Sequence, residues 1–583
     1  MRKTNGLDLL IALAVVVCSC ARVVQPSGQP GNGGTGGGPA AGGAIGFAGS
    51  GGTAGLAPIS VSADATTCQE AAAVHSYVGC EFWPTIVANP VWTDFDPAVV
   101  IANGGKTAAA VSIDGPAAFH KDVTIAPGQL QTVLLTWVAA LKGPEFSTVN
   151  TSGGRLNYSV RVNGGAYHVK SSIPVTAWQF NPLQYTKSQC TESPTGCLSA
   201  SVDASLLLPV TAMTGNYRVF VYSSKNEGAL WGTVPGAVAI TATADNTNVK
   251  VQLGPRCGFE TYDPAMLGTC VSASQTGDIP AKNAGDIYTL QMNAGDVIQL
   301  VGAWAPYQDI KNADISGSLI NADQPIQVVS FNAIAQVPDY SVANADHMEE
   351  TVLPSEVIGK KYIVVPPTTP TGNAVGHVVR LYGNVDGTHL TYPEGKPAGA
   401  PDTINAGDMA QIPPPPAGGS ACFTLPGHCM LADSFIVEGD QPFAMASFMV
   451  GGTLQNPGTD PTNTNVQGDP SMTMEVTPEQ FRKDYTFLAP ADYLENFADI
   501  LVPMGAMVVL DGAPLAQAPT PIGSGAWGFI RARLTAGNGG VHTLSTTNDS
   551  GLGLQIEGFG YATSYYTPGG LNLKRISPPV IIP

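Results

Sequence analysis

Ten cysteines are the residues of this 583-residue chain whose spacing most directly implies chemistry. Eight fall as four couples close in sequence: Cys68 with Cys80, Cys190 with Cys197, Cys257 with Cys270, and Cys422 with Cys429. A couple that closes a short loop suits oxidation, and each such disulfide stabilises a fold by about 2–3 kcal/mol through loop closure. Zinc is the competing chemistry. No couple has the two-residue spacing of a zinc site, however, and no histidine stands at the offsets such a site needs. No metal and no cofactor is expected. Nucleophile elbows, phosphate loops and His-Glu-x-x-His motifs are absent from the sequence, so no catalytic residue is assigned. The densest polar cluster, Asp346-His347-Met348-Glu349-Glu350, reads either as a cation-holding group or as the solvated start of a strand. Asp94–Asp96 and Asn384-Val385-Asp386-Gly387 lack the further carboxylates of a calcium loop. Phe82, Trp83, Trp92 and Phe95 lie close together, either as a stacking platform for a glycan or partner or as packing beneath the first β unit.

The first two cysteines belong to a different chemistry. Arg2 and Lys3 precede an apolar run, Leu9–Val17, too short to span a bilayer and suited to a signal peptide. Its end, Val17-Cys18-Ser19-Cys20, resembles the lipobox of bacterial lipoproteins, with small Ser19 directly before Cys20. Residues 1–19 are then a lipoprotein signal peptide and Cys20 the acylated first residue of the mature chain. The alternative is an ordinary secretory signal with incidental cysteines. Ala21 lacks the aspartate associated with inner-membrane retention, so the expected location is the cell envelope, at the outer membrane or cell surface. Residues 20–58 form a Gly/Pro/Ala-rich linker, almost pure Gly, Ala, Ser and Pro from Gln25 to Pro58. Such a segment buries too little apolar surface to offset its ordering entropy, and it reads as a disordered tether.

The elements that must position these groups are strands. Gly 68, Pro 47 and only 12% charged residues suit many short strands joined by turns and disfavour exposed helices. A formal charge of −18 argues against binding nucleic acid or anionic lipid through the folded surface. The organising unit is Gly317–Asn332, two apolar runs around the turn Asn321-Ala322-Asp323-Gln324-Pro325. Ser434–Met449 keeps the acidic turn, the Gln-Pro pair and the Phe, and His168–Phe180 holds a looser copy. Asn293-Ala294-Gly295-Asp296 also recurs letter for letter at Asn405-Ala406-Gly407-Asp408. Repeated corners and turns predict a repeated supersecondary module.

Four modules follow, at 66–200, 203–340, 346–452 and, more divergent, 472–583. Leu156–Val162 is assigned to the first of them, and Thr477–Lys483 is expected to be a helical turn. Each module offers about seven short antiparallel strands, as a two-sheet sandwich requires. The predicted fold is all-β, a tandem of antiparallel sandwiches, with a β-propeller as the alternative.

These features, read along Ser205–Pro209 with Tyr217–Tyr222, Thr247–Val251, Asn293–Leu300 and Gly317–Phe331, resemble the N-terminal domain of the IgG Fc-binding protein family. Leu353-Pro354 with Tyr362–Val365 and Asn405–Ile412 echo them, and the likeness spans most of Asp94–Met449. In that family the named activity is adhesion-like binding of an immunoglobulin constant region. The resemblance implies an extracellular, non-enzymatic binding or adhesive module for a protein or glycan ligand. The rival class is an envelope glycan-binding protein or carbohydrate-active enzyme, with the aromatic cluster holding sugar and an acidic pair doing acid/base work.

Overall fold

The structure is a computed structural model, described over residues 65–145, 156–190, 197–223, 235–255, 269–303, 314–339, 342, 344–414, 429–456, 466–535 and 540–582. Cys20, the tether, Cys257 and Cys422 lie outside the described residues.

The alternation of β-branched and small residues around Asn/Asp/Gly turns folds as expected, into paired antiparallel sheets. In the second module one sheet runs Asp346–Thr351, Ile326–Ala335, Gly236–Ala242 and Val297–Val301, all neighbours antiparallel. The other runs Ile287–Met292, Thr247–Gln252, Leu319–Ala322 and Asn216–Arg218. The corner at Gly317–Asn332 carries the chain from one sheet to the other.

The third module repeats this order strand for strand. Met472–Met474, Phe443–Met449, His377–Gly383 and Met409–Ile412 form one sheet. Thr403–Ile404, Thr388–Thr391, Phe435–Gly439 and Lys361–Val364 form the other. Gly317–Asn332 and Ser434–Met449 thus hold equivalent places. The fourth module has the same order, Thr563–Pro568, Gly553–Gly560, Glu495–Pro503, Trp527–Leu534 against Ala513–Pro514, Val509–Leu510, Val541–Ser545, Asp484–Leu488. In the first module the corner is straightened into the single long strand His168–Phe180. Its first half pairs Gly79–Phe82 and Ala109–Gly115, and its second half pairs Ala98–Asn103 and Ala204–Leu206.

The repeat reaches single atoms. Tyr217 donates its hydroxyl to the carbonyl of Ile326 at 2.7 Å and accepts from Thr214 N–H at 3.2 Å. Tyr362 does the same with Phe443 O at 2.7 Å and Gly359 N–H at 3.4 Å, and Tyr485 with Leu552 O and Arg482 N–H. Each tyrosine is the second residue of its module's lead strand. In the first module that place belongs to Cys80, bonded to Cys68. The twin turns match as well. Gly295 and Gly407 have φ of 82° and 80°, and their N–H groups bond Ala242 O and Gly383 O.

Four expectations need correction. Val160–Val162 does not belong to the first module's sheets; it pairs with Val297–Val301 and caps an edge of the second module. The stretch between Cys68 and Cys80, expected as a short polar loop, is largely a helix, Cys68–Val74, with a complete capping box between Thr67 and Glu70. At Thr477 the helical turn is a single 3-10 turn, Pro478–Gln480, without a side-chain cap. The modules, finally, are not separate beads. The largest apolar core runs through all of them, from Trp178 and Phe180 through Tyr217, Tyr382 and Phe448 to Phe487 and Tyr565. The first and last described segments also meet, Ser76 bridging Asn572 and Leu573 N–H bonding His75 O at 2.9 Å. The units are sandwiches, and the propeller alternative is not adopted.

Candidate functional site

Polar chemistry in this molecule sits inside it. Each module gives up its last strand to the boundary with the next: Ala204–Leu206, Asp346–Thr351, Met472–Met474 and Thr563–Pro568. These four linking strands pack on one another at the centre. Asp203 bonds three of them and the residue just before the other, Ser471. Its Oδ1 accepts from Ala204 N–H at 2.8 Å, Ser471 Oγ at 2.7 Å and Tyr566 N–H at 3.4 Å, and its Oδ2 from Glu349 N–H at 3.0 Å. Asp346 accepts from Val202 N–H and His347 N–H through one oxygen and from Thr563 and Ser564 through the other.

Glu349 accepts from Gln179, Ser205, Asn181 and His347, and Glu350 from Thr351 N–H and Thr473. Burial pushes the carboxyls of Asp203, Asp346 and Glu350 well up. Neighbouring carboxyls, above all Asp469 beside Asp346, push further in the same direction, and the hydroxyl and N–H donors oppose. Groups so placed hold strands in register rather than reach a substrate.

A second buried pair lies between the third and fourth modules. Thr368 N–H donates to both Asp499 at 3.1 Å and Glu557 at 3.0 Å, and Arg531 reaches Asp499 at 3.3 Å. Asp499 is 7% exposed and Glu557 fully buried, each pushed up chiefly by burial. This acidic pair is closed in by its own partners. Among the described residues no group of three His, Cys, Asp or Glu could hold a metal ion.

The sequence-predicted residues divide as follows. Cys68–Cys80 and Cys190–Cys197 are disulfides. Cys270 and Cys429 are also disulfide-bonded. Asp346–Glu350 is not a solvated strand start, because all six residues of its strand are buried. Phe82, Trp83, Trp92 and Phe95 do not form a surface platform. All four are buried, Phe82 in the first module's core and the others against Val297, Val301 and Phe331 of the second. Sequence reasoning missed Asp203. Its one signal was its place six residues before Pro209, at the head of a leucine-proline lead-in.

Two hollows lie on the first module. A groove of about 470 Å³ runs over the outer face of its sheet, lined by Ser112, Asp122, Thr124, Lys170 and Ser172. A cavity of about 260 Å³ lies by Ala65, Gly104, Lys106 and Ile173. Beside the groove the edge strand Phe119–Ile125 carries His120 between Asp114 at 2.7 Å and Asp122 at 3.2 Å, and these carboxylates raise the exposed imidazole's pKa.

No curated protein matches the chain. A solved structure of a tetra-tandem repeat in the extending region of a large adhesion protein is 10% identical, over 85% of this chain and 99% of that one. Its TM-score of 0.08 carries no argument. The sequence model of the IgGFc binding protein family matches residues 203–558, from the hub aspartate through the second and third modules and most of the fourth. The chain belongs to the IgGFc binding protein family.

Proposed function

We propose that this chain is a non-enzymatic, adhesion-like binding protein of the cell envelope, anchored through an acylated Cys20 after removal of residues 1–19. Residues 20–58 hold a rigid body away from the membrane, and the first module meets a protein or glycan ligand. One observation carries this reading. The convergent carboxyls are consumed in joining modules, while a groove and a strand edge lie outward on the first module. Recognition by edges and loops on a rigid sandwich is how such scaffolds bind.

Two experiments test it. Labelling with a palmitate analogue marks the wild-type chain and not Cys20→Ser; equal labelling removes the anchor. The full chain is then presented to immobilised glycans, envelope proteins and an immunoglobulin Fc fragment. Saturable binding lost on changing Lys170 and Asp122 supports the reading. Turnover of a glycan substrate with no stable complex overturns it.

A further inference from the structure

The four modules share one edge position, and they treat it differently. In the second module the edge strand Val297–Val301 is covered by Val160-Arg161-Val162, donated from the preceding module. In the fourth, only the first three residues of Trp527–Leu534 are covered, by Thr520-Pro521-Ile522. In the third, the strand Met409–Ile412 has four residues and stops at Pro413-Pro414, which have no N–H to offer. In the first, Gln129–Leu134 is six residues long, pairs Ala98–Asn103 on one side, and has no strand on the other among the described residues. Leu134 is 44% exposed. The Leu130 side chain lies against Gly540 of the fourth module, which leaves Gln131–Leu134 without a strand partner among the described residues, about the length the caps cover elsewhere; the Thr132 carbonyl accepts only the exposed Gln131 side-chain amide, at 2.8 Å, which an incoming strand would displace.

Leu135 N–H bonds Pro97 O, so by antiparallel alternation Leu134 and Thr132 turn their N–H and C=O outward.

We propose that Gln131–Leu134 is a strand-addition site that takes an extended, antiparallel segment of a partner polypeptide. The chain's own caps define the chemistry of that segment, Val-Arg-Val and Thr-Pro-Ile having branched residues two apart around a central residue. Backbone hydrogen bonds to Thr132 and Leu134 would supply affinity. The branched side chains would add to the first module's core, against which Phe119 and Val123 are only partly buried. This inference rests on the binding reading above and names its partner chemistry.

The test uses the full chain and a labelled peptide of residues 156–164, which contains Val160–Val162. Binding is followed by anisotropy and amide hydrogen exchange. Saturable binding that protects Thr132 and Leu134, and that weakens at least tenfold in Thr132→Pro and in Leu134→Lys, is the expected result. Proline at Thr132 removes only an outward N–H, and unchanged exchange at Val297–Val301 reports that the variants are folded. Binding absent at millimolar peptide, or indifferent to both variants, overturns the proposal. So does protection of these amides in the protein alone, whether by its own residues 1–64 or by a second copy. A Thr132→Pro protein that still binds the glycan, envelope-protein or Fc panel removes this edge and leaves the function standing. A protein that binds the peptide but nothing in the panel does the reverse.

Discussion

A single hydroxyl shows how this sequence is tied to its fold. Tyr362 closes the corner of the third module by bridging Gly359 N–H and Phe443 O, and both partners are buried with it. Tyr362→Phe leaves that carbonyl without its donor at nearly unchanged volume, which costs about 1–3 kcal/mol. Denaturant unfolding should show a lower midpoint with the slope unchanged. Glu475 offers a pH signature at the same scale. Burial raises its carboxyl to about 7 from an ordinary 4.5, against hydrogen bonds from Ser447 and Gln555. A carboxyl raised in the fold holds a proton that the unfolded chain has released. Its stabilisation is therefore full below about pH 4.5 and lost as pH rises through 7, roughly 3 kcal/mol in all. Glu475→Gln keeps the hydrogen-bonding shape and removes the titration. Between pH 5 and 8 the variant should gain about that much stability relative to wild type, read from denaturation midpoints across the range.

Elements meet through close backbone contacts that tolerate no side chain. Gly317 opens the second module's corner at φ 82°, and a Cβ there would fall 2.0 Å from the carbonyl oxygen of Gly407, in the twin turn of the third module. Arg218 spans the same joint, from Gly317 O at 2.7 Å to Asn384 at 3.3 Å. Gly317→Ala should raise exchange at both Leu319–Ala322 and Met409–Ile412, with the first module unaffected. Confinement of the change to the second module would contradict the joint.

Much of this scale was legible in the sequence. The Asp-Gln-Pro corner and the Asn-Ala-Gly-Asp turn are local, so their repetition could be read directly and the two corners do occupy equivalent places. The Thr67-x-x-Glu70 box is equally local and is the sequence signal of the Cys68–Val74 helix. What could not be read was long-range. Val160–Val162 looks like any strand of its own module, and only its partner, well over a hundred residues away, shows that it crosses over. Asp346–Glu350 looks solvated by composition and is buried because four strands converge on it.

In the whole molecule, four copies of one pleated unit are fused into a single body by linking strands that meet at Asp203. Independent sandwiches on a string would unfold independently, whereas a shared core and hub couple them. Asp203 joins all four copies, so its removal should cost more in coupling than in any one module. Calorimetric unfolding of the full chain, wild type beside Asp203→Ala, tests this most directly. The account predicts one transition for wild type, with van't Hoff and calorimetric enthalpies in agreement, that splits or broadens in the variant. Separate module transitions already present in wild type, or a variant that merely shifts one undivided peak, would contradict it.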